Sequence, residues 1–147
     1  MARVVLDTTV FSNFARVERP DLLRHLFAHL ALTAPTVRHE LQTGEAGGYI
    51  PACDWRWVET AVLTAEEEQL ATTHLHVVDP GEAECLALAE MRDATLLSDD
   101  FAARRLTLKL GIPISGTLGV LLQLVHNRHI TMREADDLLA RMIDEGD

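Results

Sequence analysis

The chain has 147 residues, 48% hydrophobic and 24% charged, which is enough apolar mass for one continuous core in a single domain over residues 1–147. A formal charge of −10, from 23 acids against 13 Lys and Arg, excludes nucleic-acid binding through bulk positive charge, so any such contact must be local. Cys53 and Cys85 show neither CxxC nor zinc-type spacing, which excludes a disulfide framework and a structural zinc and points to a reducing cytoplasm.

In chain order, residues 3–6 are a short apolar run of buried-strand type, and Asp7-Thr-Thr supplies caps for a helix starting near Val10. Pro20 and Asp21 open a second helix with Leu22, Leu23, Leu26 and Leu30 at helical spacing, and residues 30–34 read as a second strand. Pro35-Thr36 starts a third helix that carries Glu40 and stops at Gly44. An irregular loop through Gly47, Gly48 and Pro51 leads to Trp55 and Trp57. Residues 57–63 are a candidate strand, and Thr64-Ala-Glu-Glu67 is a capping box for a helix to about Thr73. Residues 76–79 then read as extended. Asp79-Pro80-Gly81-Glu82 combines a cap, Pro at the first helical position and Glu at the third, and starts a helix to about Arg92. Residues 95–98 form the next strand, Asp99-Asp100 opens a helix ending at Gly111, and residues 112–115 form the last strand. Two helices close the chain, over about 117–127 and from the capping box Thr131-Met-Arg-Glu134.

Short apolar strands alternating with helices imply an α/β domain: a short parallel sheet with helices on both faces, and ligands at the strand carboxyl ends. No cleavable signal is expected at the N-terminal residues. The longest uncharged stretch, 110–127, is interrupted by Gly, Pro, Ser, Thr, Gln and His, so no membrane span is expected.

Asp7 and the pair Asp99-Asp100 directly follow predicted strands, and Glu40 and Glu82 sit on helices that can begin at the same edge. Carboxylates pooled there repel one another and call for a cation, and oxygen ligation favours Mg2+ or Mn2+ over zinc. Each acid also has a structural explanation. Asp7 is a favoured N-cap, Glu82 completes a capping box with Asp79, Glu40 is a solvated helix charge, and Asp99 with Asp100 is a cap and first-turn acid. Glu84, two residues beyond Glu82 and so about 200° around the helix, competes with it as a ligand. Arg16, Arg19, Arg38, Arg104 and Arg105 are candidates for local contacts to a nucleic-acid backbone.

The segments VVLDTTVFSNF, PTVRHEL, GEAECLALA, LLSDD and GIPISGTLGVLL, in this order over about residues 3–127, resemble the PIN-domain nucleases, in particular the VapC-like toxin branch. The resemblance implies an α/β/α domain that hydrolyses RNA phosphodiesters with one or two divalent ions. It implies Asp7, Glu40, Glu82 and Asp99 as catalytic metal ligands, with Asp100 as a further ligand position and Thr8, Ser12 and Asn13 beside them. Glu82 or Glu84, and Asp99 or Asp100, stay open. A small antitoxin protein and a homodimer are the implied partners; separately, Leu121, Leu122, Val125, Leu138, Leu139 and Met142 of the terminal helices exceed the apolar surface one small domain covers, and are expected to be left over for a two-fold interface. Three other readings compete: a housekeeping RNA-processing nuclease, a PIN-like binding module without activity, and a haloacid-dehalogenase-type phosphatase. The last wants a second Asp where Thr9 stands.

Overall fold

A computed structural model describes residues 2–146. Its elements are β1 (Val4–Leu6), α1 (Thr8–Arg16), α2 (Pro20–Phe27), β2 (Ala31–Thr33), α3 (Pro35–Ala46), β3 (Glu59–Thr60), α4 (Ala65–His74), α5 (Pro80–Met91), β4 (Thr95–Leu97), α6 (Phe101–Leu110), β5 (Ile114–Ser115), α7 (Thr117–His126) and α8 (Met132–Gly146). All strand pairings are parallel, in the order β3-β2-β1-β4-β5. The chain thus builds β1, β2 and β3 to one side, then returns past β1 to lay down β4 and β5. The helices pack in two groups around the sheet: α1 touches α2, α3 and α8, α5 touches α4 and α6, and α3 also meets α5. This is the α/β/α arrangement expected from the alternation of strands and helices.

β1 is buried along its whole length, as a strand covered on two faces must be. Phe11 and Phe14 on α1, Leu22 and Leu23 on α2, and Leu86 and Leu88 on α5 close over the sheet. Trp55 joins this core, edge-on to Phe11 with ring centroids 4.9 Å apart.

Four local expectations are corrected. The strand expected over 57–63 is only Glu59–Thr60, because three-residue β2 offers pairing partners at Leu32 and Thr33 alone, and beyond it Val62 is 85% exposed. α3 runs through Gly44 to Ala46. The missing β-carbon of Gly44 serves packing rather than a stop, since a Cβ there would lie 2.6 Å from Ile50 Cδ1. Residues 75–77 form a turn, with Val77 and Val78 N–H donating to the His74 carbonyl, and only Asp79 is extended. Lastly, Leu121, Leu138 and Met142 are core residues and Val125 and Leu139 pack against the core, because α8 lies on α1 and α7. Of the six residues expected to be left over for a dimer, Leu122 is the exposed one.

Both capping boxes read from sequence are formed, at Thr64/Glu67 and at Thr131/Glu134. Glu67 is also gripped by Arg92 of α5 through Nε at 2.9 Å and Nη2 at 3.0 Å, which ties α4 to α5. Arg92 holds the Glu67 carboxyl below its ordinary value. That contribution is complete above the ordinary glutamate range and is lost as pH falls through the lowered value. Glu67→Gln should therefore cost roughly 2 kcal/mol near neutrality, the scale of charge-assisted hydrogen bonds, and almost nothing in strong acid. Urea melts of both proteins at the two pH values check this; a pH-independent difference would refute it.

Candidate functional site

The register levels Leu6 with Thr33 on one side and Leu97 on the other, so Asp7 and Ser98 emerge side by side where β1 and β4 end. These strands flank the point where the strand order reverses, the usual position of a crevice in an open parallel sheet.

Asp7 is 2% exposed and divides its two oxygens between two tasks. Oδ1 caps α1, accepting from Thr9 N at 3.0 Å, Thr9 Oγ1 at 2.6 Å and Val10 N at 3.4 Å. Oδ2 faces the crevice and accepts from Ser98 Oγ at 2.7 Å. The helix-cap reading and the site reading of Asp7 thus describe different atoms.

Glu82 is 5% exposed in the first turn of α5. Asp79 accepts its N–H at 2.9 Å, but the expected capping box is not closed, since the Glu82 carboxylate turns inward instead. Its Oε2 lies 3.4 Å from Ser98 Oγ, whose single proton is already directed at Asp7, and Oε1 is buried without a partner. Burial first, then a hydrogen bond shared with Asp7 and the charges of Asp7, Asp100 and Asp79, push this carboxyl up to about 10. Alone, it is neutral at neutral pH.

Glu40 is half-buried on α3 and accepts from Thr8 Oγ1 at 3.3 Å. It lies against Gly81 at the start of α5, where any β-carbon would collide with Glu40 Oε1. Burial and the neighbouring Asp79 raise its carboxyl as well.

Glu84 points elsewhere. It accepts from Thr36 N at 3.0 Å and Thr36 Oγ1 at 2.7 Å, serving the start of α3, which has no side-chain cap of its own. Asp100 caps α6 through Ala103 N at 2.9 Å. Asp99 reaches across to α7, accepting from Thr117 N at 2.8 Å, from Thr117 Oγ1 and from Asn13 Nδ2 at 3.1 Å. Gly116 makes room for it, and a β-carbon there would meet both Asp99 and Arg104.

The structure therefore joins Asp7 and Glu82 through Ser98, with Glu40 and Asp99 on either side. Among the described residues, no three Asp, Glu, His or Cys side chains gather closely enough to ligate one ion together. A hydrated hard cation nevertheless fits the central pair: the donors are all oxygen, one is partnerless, and Mg2+ keeps most of its water and needs only one or two carboxylates. Ser98, Thr117, Gly81 and Gly116 were not singled out from sequence; the only available signal was their place beside an acid or in the GTLG segment. Of the five arginine candidates, Arg38 is bound to the carbonyls of Trp55 and Val58, and Arg19 forms an exposed ion pair with Asp21.

A family model described as a PIN domain matches residues 3–147. The chain belongs to the PIN-domain family. PIN domains are generally nucleases acting on RNA or other nucleic acid with divalent metal ions. No curated protein matches the chain. No helix among the described residues of this PIN domain is long and apolar enough to cross a membrane.

The two glutamates of α5 should separate experimentally. Glu84→Ala should lower stability by about 1 kcal/mol through the lost N-terminal hydrogen bonds of α3, yet leave stabilisation by Mn2+ intact. Glu82→Gln should cost the metal-free fold little, because that carboxyl is already neutral, but shrink the Mn2+ effect. Thermal melts with and without Mn2+ read both; an equal loss of metal response in the two variants would contradict the assignment.

Proposed function

We propose that this PIN domain, taken as one unit over residues 1–147, is an endoribonuclease that depends on Mg2+ or Mn2+. The observation that carries the reading is the Asp7/Glu82 pair at the switch point of the sheet, buried, sharing one hydroxyl and left with a partnerless oxygen. Asp7 and Glu82 would hold the ion, with Glu40 and Asp99 reaching its water shell or a second ion that arrives with substrate, and Asp100 close by. When bound, such an ion acidifies water and neutralises charge developing at phosphorus.

The chain's own groups do the positioning. Thr9, Val10 and Ser98 fix both Asp7 oxygens, Thr8 steadies Glu40, and Thr117 with Asn13 fixes Asp99, so none of these three carboxylates must be ordered at the moment of reaction. Ser98 Oγ accepts Asp100 N–H at 3.0 Å while donating to Asp7, which fixes the direction of its proton. With water as nucleophile the 2′ hydroxyl is not required, and the products carry 5′ phosphate and 3′ hydroxyl ends.

The likeness of the five segments to the VapC-like branch supports a finer reading: a cytoplasmic toxin held in check by a small antitoxin protein, and a homodimer. Growth arrest on expression, relieved by the product of a short neighbouring reading frame, tests the first, and light scattering at micromolar concentration tests the second.

Asp7→Asn is the decisive variant. The amide oxygen can still cap α1, and the amide nitrogen in place of Oδ2 donates toward Ser98 and Glu82, so the metal-free fold should be as stable as wild type or more so. A hard cation loses a negative ligand. RNA hydrolysis should fall by more than about a hundredfold, beyond the loss typical of residues that merely support ligands, and Mn2+ should stabilise the variant less. Near wild-type cleavage would reduce Asp7 to a helix cap. A wild-type protein that cleaves no RNA in Mg2+ or Mn2+ would favour a binding module.

A further inference from the structure

In a chain of net charge −10, the cations are distributed unevenly. Outside α6, five arginines are held in ion pairs with nearby acids, Arg38 is bound to backbone carbonyls, and Arg16, Arg24, Arg128 and Arg133 stand singly on separate segments. α6 is different: FAARRLTLKL carries Arg104, Arg105 and the chain's single lysine, Lys109, and no acid, and among the described residues none of the three is in an ion pair. Ala103 and Thr107 turn inward, which leaves Phe101, Arg105 and Lys109, spaced by four residues, along one exposed ridge.

Phe101 is 73% exposed at the first position of α6, immediately after the Asp99-Asp100 pair. Val77, 58% exposed, sits in the turn just ahead of Asp79 and Glu82. Together with Ala102, Arg105, Leu106 and Lys109 they line a cleft of about 250 Å³. One end is apolar and lies beside the two segments that bring acids to the crevice, and the other end is cationic. Aromatic platforms combined with a positive track are the physical requirements of single-stranded nucleic-acid binding.

We propose that α6 and the Val77 turn form the path along which single-stranded RNA reaches the acidic centre, Phe101 stacking on a base and Arg105 and Lys109 contacting phosphates. The proposal rests on the nuclease reading above. From Phe101 to Lys109 the helix rises about 12 Å at 1.5 Å per residue, room for about three or four stacked nucleotides at ~3.4 Å each. Three cations on one acid-free helix of an acidic protein also explain how such a chain approaches a polyanion: it presents a local stripe rather than a field.

Anisotropy of a short fluorescein-labelled single-stranded RNA, titrated with the full chain carrying Asp7→Asn in Mg2+, tests the path without hydrolysis. Adding Phe101→Ala should weaken binding by about tenfold, within the range for loss of one stacked base, while Phe101→Trp should preserve it. Arg105→Ala with Lys109→Ala should flatten the slope of log affinity against log salt by about 1.4, at ~0.7 for each single-strand phosphate contact. These side chains are exposed, so thermal melts should superimpose. Unchanged affinity and salt slope, or no RNA binding by the parent, overturns the proposal. So does a change confined to oligomeric state in sedimentation velocity, which would make α6 a protein interface. If wild type cleaves RNA yet the α6 variants bind and cut equally well, the path is wrong and the nuclease reading stands. If α6-dependent binding is present without cleavage in wild type, the reverse holds.

Discussion

Two buried carboxyl groups competing for the proton of one serine hydroxyl set the terms for this fold's functional edge. Asp7 and Glu82 are 2% and 5% exposed, and Ser98 can direct its hydrogen only at one of them. Such a group must either keep its proton or meet a positive charge, and Glu82 in isolation keeps it. The surroundings are arranged around that conflict. Three-residue strands in matched register deliver Asp7 and Ser98 to adjacent places, α5 delivers Glu82 from its first turn, and the flanking acids are each anchored to a hydroxyl, a backbone N–H or an amide. No tension of this kind is found at Glu67, where the guanidinium of Arg92 supplies the compensation directly.

Much of this architecture is legible in the sequence because it is local. Apolar runs of three or four residues mark the strands, and caps such as Thr64/Glu67 and Thr131/Glu134 act within four residues. The parallel sheet and its helices follow from their alternation. What local spacing does not reveal is which partner a side chain chooses across the fold. Asp99 and Asp100 are equivalent on the page, yet Asp100 bonds three residues onward to Ala103 and Asp99 bonds eighteen residues onward to Thr117. Glu84 competes with Glu82 until Thr36, 48 residues away, is seen to bind it. The extent of β3 is missed for a related reason: past Thr60 its partner β2 has already ended at Thr33.

Helix starts recur as the structural device. α1 is capped by Asp7, α6 by Asp100, and α3 and α7, which lack caps of their own, receive Glu84 and Asp99 from outside. In a parallel α/β sheet these starts lie at the strand carboxyl edge, so the carboxylates that satisfy them collect at one place as a result of folding. An acid-rich edge is therefore partly a structural by-product, and function can draw on oxygens that cap no helix, such as Asp7 Oδ2, which meets Ser98, and the partnerless Glu82 Oε1.

Gly81 and Gly116 bring this economy to its narrowest point. Each leaves a space the size of one methyl group, and that space is filled by Glu40 in the first case and by Asp99 with Arg104 in the second. Alanine at either position would leave every acid in the sequence and every strand in the sheet, but would evict a carboxylate from the edge. A copy of this gene could thus drift from one role to another while an inspection of its acidic residues reported no change at all.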